Sequence, residues 1–162
     1  MNLKNLKLTA LINAYSAVNI PLLAFVTPRV LESSAERAMV RIRLDRRSRN
    51  HLGVMYFGAL AMGAELSIAL TALSAIRESG QKIDFIFKGF SAEFLKRADG
   101  HVNFICDEAP AVAALIEKAK TSSERCEKTF KGYALVPANG REPVMNYSLT
   151  LSVRNRSLQG PV

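Results

Sequence analysis

One carboxylate, Glu65, stands in the middle of the apolar and small-residue run RNHLGVMYFGALAMGAELSIALTAL at residues 49–73. Burying a lone charge costs several kcal/mol, and a whole domain is held together by only about 5–15 kcal/mol. A carboxylate in that setting is therefore either neutralised by a basic neighbour or kept for its chemistry. In the second case desolvation raises its pKa and makes it a stronger base. The other reactive side chains are sparse. His51 and His101 read as loop residues, and Cys106 and Cys126 lack a C-x-x-C partner. The cysteines are expected as free thiols, which agrees with a cytoplasmic setting. No metal and no organic cofactor is expected.

The chain that must position Glu65 has 162 residues, 49% hydrophobic and 22% charged, and reads as a single globular α+β domain over 1–162. Its net charge of +8 and pI of about 9.8 favour a polyanionic or phosphate-bearing partner. Arg41, Arg43, Arg46, Arg47 and Arg49 are the densest basic cluster. They fit either the wet side of a strand and its loop or a site for phosphates. No recognition helix, zinc spacing or aromatic RNA-binding signature accompanies them, so a nucleic-acid partner is not expected. Leu52–Ile76 has the length of a bilayer span, about 20 residues, but carries Glu65 mid-span, and no membrane span is expected.

Residues 1–27 read as an N-terminal helix ending near Asn19, with Pro21 helping to stop it, and a lead-in. In RVLESSAERAMVRIRLD, which reads as strand, turn, strand, Ala38, Val40, Ile42 and Leu44 alternate with Met39, Arg41, Arg43 and Asp45. A long helix from Phe57 to about Arg77 follows, apolar nearly all round and closed by Gly80. A helix apolar on every side is a buried helix, and its interior glycines point to close packing. Four strands and a short helical insert starting near Pro110 complete the domain. The last strand runs through VMNYSLTLSV, and residues 154–162 read as a loose tail. About six strands in runs around one long helix argue for a twisted antiparallel sheet curled about that helix.

That layout resembles the hotdog fold, a curved antiparallel sheet wrapped around a central helix. The likeness sharpens at the start of the helix. Thioesterases of the phenylacetic-acid-pathway type carry Asn-x-x-Gly-x-x-His-Gly-Gly, five residues, then Ala-Asp. At the same spacing this chain has Asn50, Gly53, Tyr56, Phe57, Gly58, then Ala64 and Glu65. The stretch NHLGVMYFGAL…AE is also similar to an allied hotdog domain of unknown function, DUF4442. Two positions depart from the thioesterase pattern: the histidine is Tyr56 and the first of the paired glycines is Phe57.

The resemblance implies a homodimer or dimer of dimers with its active site at the subunit interface. It also implies hydrolysis of an acyl-CoA or acyl-carrier thioester, with coenzyme A entering as part of the substrate. Glu65 then activates water or attacks the thioester carbon. Asn50 orients that water or binds the carbonyl, unless it only turns its loop. Tyr56, Phe57 and Gly58 form the substrate-binding start of the helix, where amide N–H groups and the helix dipole favour an oxyanion; Gly58, lacking Cβ, allows close approach. Two other readings stay open. One is a non-catalytic acyl-thioester or lipid-binding dimer, given Tyr56 and Phe57. The other is a hydroxyacyl dehydratase or enoyl hydratase, given that His51 and Glu65 stand fourteen positions apart.

Overall fold

The computed structural model describes residues 2–158. Helix α1 (Leu3–Asn19) is capped by the Asn2 side chain on the Lys4 N–H. It ends where expected, but Pro21 opens a further short helix, α2 (Pro21–Phe25). A proline that stops one helix is also well suited to the first turn of the next. Strands β1 (Arg29–Ser33) and β2 (Ala38–Ile42) form the expected hairpin, with Ala38, Val40 and Ile42 buried. Then come α3 (Phe57–Ser79), β3 (Ile83–Phe94), β4 (Val102–Cys106), α4 (Ala109–Lys120), β5 (Cys126–Leu135) and β6 (Pro143–Asn155). Gly80 closes α3 in the left-handed region at φ 65°.

The six strands make one antiparallel sheet in the order β1-β2-β4-β5-β6-β3. Its longest ladder joins β3 to β6, from Ile83 opposite Asn155 to Phe94 opposite Met145. The helix α3 packs on β2, β4 and β5, and α4 packs on α3. Gly63 explains one of the helix's glycines: a Cβ there would run into the Phe104 ring of β4. Most of the core lies between α3 and this sheet, around Ile68, Phe104, Phe130, Met145 and Leu151. A smaller cluster, with Ile12, Val30, Val40, Leu66 and Leu70, ties α1 to β1, β2 and α3. Although α3 has the length and hydropathy of a membrane span, 61% of its most apolar stretch is buried within the protein.

Two expectations need correction. The tail does not loosen at Arg154. Arg154 and Asn155 pair with β3, and the buried Asn155 amide donates to Gln81 Oε1 and to the Lys120 carbonyl at 2.6 and 3.0 Å. A 3-10 turn over Arg156–Leu158 follows, and residues 159–162 lie outside the described residues. Nor is α3 buried on every side. Phe57, Glu65, Leu73 and Arg77 are exposed along it at intervals of eight, eight and four residues, so the sheet leaves one face of the helix open.

Candidate functional site

The open face of α3 is the floor of a groove of about 840 Å³. Helix α1 roofs it with Leu8, Leu11 and Tyr15, and β3 walls it with Phe85, Phe87 and Phe90. Why α1 turns apolar side chains this way follows from its other face. Asn5, Thr9 and Asn13, one turn apart, point inward and hydrogen-bond to the free edge around β1. Asn5 Nδ2 donates to the Leu31 carbonyl at 2.6 Å, Thr9 Oγ1 accepts the Val30 N–H at 3.0 Å, and Asn13 Nδ2 donates to the Pro28 carbonyl at 2.9 Å. An edge strand left bare exposes a row of unpaired backbone groups. Here helix side chains satisfy several of them, and the remaining faces of α1 carry leucine, tyrosine and valine.

Glu65 opens into this groove from α3. By surface area its residue is exposed, yet the apolar walls desolvate the carboxylate and push its pKa above the ordinary glutamate value. Among the described residues it has no hydrogen-bond or ion-pair partner. Glu65 therefore stands at the rim of a cavity, neither sealed in nor neutralised by a basic neighbour.

Tyr56, Phe57 and Gly58 gather at the start of α3. Tyr56 is its N-cap residue, and no side chain caps the helix, so the first-turn amide groups stay open. The Tyr56 and Phe57 rings meet edge to face at 4.9 Å, both rings largely exposed. The Tyr56 ring also occupies the place a Gly58 side chain would take, so this glycine makes room for a neighbour within its own chain. Asn50 sits in the loop before the helix. Its Oδ1 accepts the Leu52 N–H at 2.9 Å and its carbonyl accepts the Gly53 N–H, forming a turn that places Gly53 at φ 78°. Its Nδ2 donates to nothing among the described residues. None of these four residues lines the groove. Gly58 and Glu65 share a helix face, but seven residues separate them, about 10.5 Å along the axis.

His51 is exposed in the Asn50 turn, while His101 Nδ1 accepts the Leu44 N–H at 3.0 Å, a structural role. Both cysteines are buried and unpaired, and burial pushes the Cys106 thiol up to about 11, which keeps it protonated and inert. In the arginine cluster Arg41 bonds Asn103 and Arg47 bonds Asp45, whereas Arg46 and Arg49 are exposed. No group of three or more His, Cys, Asp or Glu side chains among the described residues is placed to hold a metal.

The sequence reading missed the roof of the groove. Its signal is the four-residue spacing of Asn5, Thr9 and Asn13 within the N-terminal helix, a polar stripe that needs a polar partner.

A six-stranded antiparallel sheet curved about one central helix, its open side carrying a carboxylate, defines a hotdog-fold protein. The chain belongs to the DUF4442 family, a domain of unknown function, whose pattern matches residues 9–153. The fold is shared with a protein of unknown function from Chlorobaculum tepidum, at 9% identity and a TM-score of 0.78, covering 93% of this chain and 96% of that one. A Pseudomonas aeruginosa protein of unknown function, described as a probable thioesterase, is 20% identical with a TM-score of 0.74, over 91% and 96% of the two chains. A thioesterase from Haemophilus influenzae is 14% identical with a TM-score of 0.65, over 93% and 92%. No curated protein matches the chain in sequence.

Proposed function

We propose that this protein hydrolyses acyl thioesters of coenzyme A or an acyl carrier, with Glu65 as the base. The observation that carries the reading is the state of that carboxylate: desolvated by apolar walls, unpaired, and open to a cavity large enough for a ligand. Glu65 takes a proton from water as the water oxygen bonds to the thioester carbon. The oxyanion collapses, the carbon–sulfur bond breaks, and the protonated glutamic acid returns its proton to the departing thiolate. Direct attack by the carboxylate, through an anhydride that water then opens, uses the same geometry.

The reaction also needs donors for the oxyanion. The open amides at Phe57 and Gly58 and the free Asn50 Nδ2 suit that role, yet they stand off from Glu65 along its own helix. A second copy related by a two-fold axis would bring its helix start to this Glu65, so the site is proposed to be shared between subunits. A dimer fits the sheet as well, because β3 is a long edge strand bearing the exposed apolar residues Ile86, Phe90 and Phe94. A cytoplasmic setting accords with its unpaired thiols.

Binding without turnover is the second reading, favoured by the Tyr56 ring packed over Gly58 and by Asn50 Oδ1 being engaged in its own turn. A thiol-release assay across an acyl-CoA panel separates the two. Steady release that disappears in Glu65→Ala supports hydrolysis; equal release by parent and variant removes Glu65 from the mechanism, and binding with no release favours the silent module.

A further inference from the structure

We propose that the groove between α1, α3 and β3 takes a straight aliphatic acyl chain of about ten to fourteen carbons, with α1 as its roof and α3 as the wall that measures it. This rests on the thioesterase reading only for the direction of the chain, carbonyl at Glu65 and methyl end toward Arg77.

Four observations support the assignment. First, the groove is apolar on three sides at once, between Leu11 and Tyr15 of α1, Leu73 of α3, and Phe90 of β3. These side chains are half exposed as they stand, an arrangement that calls for an apolar occupant. Second, α1 cannot simply rotate its leucines into the core, because the Asn5–Thr9–Asn13 ladder fixes its polar face on β1. The apolar roof is held over the groove by hydrogen bonds on the opposite side of the same helix.

Third, the length is set by α3. From Glu65 the groove follows the helix past Leu73 and Ser74 to Arg77. Twelve residues advance about 18 Å, and carbon–carbon bonds of ~1.5 Å in a staggered zig-zag advance about 1.25 Å each. About fourteen carbons therefore reach Arg77, and about eleven reach Ser74. Fourth, the far end turns polar at Ser74 and Arg77. Methylenes beyond that point leave the apolar walls and gain nothing, which gives the site an upper limit.

The test uses the full chain and does not depend on turnover. Saturated fatty acids of six to eighteen carbons are titrated against a bound fluorescent fatty-acid probe, and the matching acyl-CoA series is followed by thiol release. Binding should tighten by up to about fourfold per methylene, reach its maximum at ten to fourteen carbons, and then level off. Leu73→Trp, at a partly exposed position about 12 Å beyond Glu65, should move the maximum to eight to ten carbons. The wild-type profile decides the proposal even if that variant folds poorly. A flat profile, a preference for short or aromatic acids, or no displacement because a second copy fills the groove overturns it. Length-dependent binding with no thiol release leaves this inference standing and defeats the hydrolysis reading. Thiol release indifferent to chain length does the reverse.

Discussion

The two edges of the sheet are handled in opposite ways. At β1 the chain covers its own edge: α1 lays Asn5, Thr9 and Asn13 against backbone groups from Pro28 to Leu31, and Lys4 Nζ reaches the Ser33 carbonyl at 3.2 Å. At β3 no element of the described chain covers the strand, which runs the length of β6 and shows Ile86, Phe90 and Phe94 to solvent. Exposed apolar edges invite further pairing, and proteins ordinarily suppress them. The chain thus builds a helix over one edge and leaves the longer one bare. The groove lies between the two, roofed from the closed side and walled from the open one. The same helix that seals β1 is thus also positioned over Glu65.

The largest effect is expected at the open edge, β3. Ile86→Lys with Phe90→Lys places like charges where two copies would meet. The expected outcome is a shift from dimer to monomer in light scattering with the circular dichroism spectrum retained; Ile86 and Phe90 also line the groove, so the oligomeric state and not thiol release is the readout. A protein that is monomeric before substitution, or a double variant that stays dimeric, removes the open edge from the assembly. The closed edge should respond in stability instead. Asn5→Leu with Thr9→Val leaves the Leu31 carbonyl and Val30 N–H without partners, each worth about 1–3 kcal/mol. At about 2–4 °C per kcal/mol for a chain of this size, calorimetry should record a drop of roughly 5–20 °C in Tm while the oligomeric state holds. An unchanged Tm would mean that α1 does not close that edge.

How far these edges were legible beforehand depends on the kind of signal. Alternation in β2 and in β6 depends on neighbours within each strand, and both appear where the pattern puts them. The Asn50-to-Glu65 spacing identified the fold because it encodes a loop and a helix start together. What escaped were features set by distant partners. Nothing local to Asn13 says that Pro28 will offer its amide a carbonyl. The helix α3 reads as buried all round, because between Glu65 and Arg77 the residues that floor the groove are leucine, alanine and serine, like those that face the sheet. β3 reaches Phe94 because Ser148 to Met145 of β6 are there to pair with its last four residues. Sequence periodicity reports which residues avoid water, and leaves open what covers them.

The smallest expected effect sharpens the contrast at a single side chain. Asn5 Nδ2, Thr9 Oγ1 and Asn13 Nδ2 are hydrogen-bonded where α1 meets the sheet, so removing them destabilises; the Glu65 carboxylate has no partner, so neutralising it should do the opposite. Desolvation raises its pKa in the folded chain above the unfolded value of about 4.3. Folding therefore favours the protonated form. The stability this contributes is complete below the unfolded pKa and is lost as pH rises through the folded one. Glu65→Gln, which stays neutral, should accordingly melt slightly higher than the parent at pH 7, and the two melting temperatures should converge below about pH 4. Thiol release by the parent should follow the opposite course, rising with pH through the same elevated pKa as the base becomes available. A Glu65→Gln chain that melts lower than the parent at pH 7 would mean that a cation holds the carboxylate in solution, and the unpaired acid on which the hydrolytic reading rests would be lost.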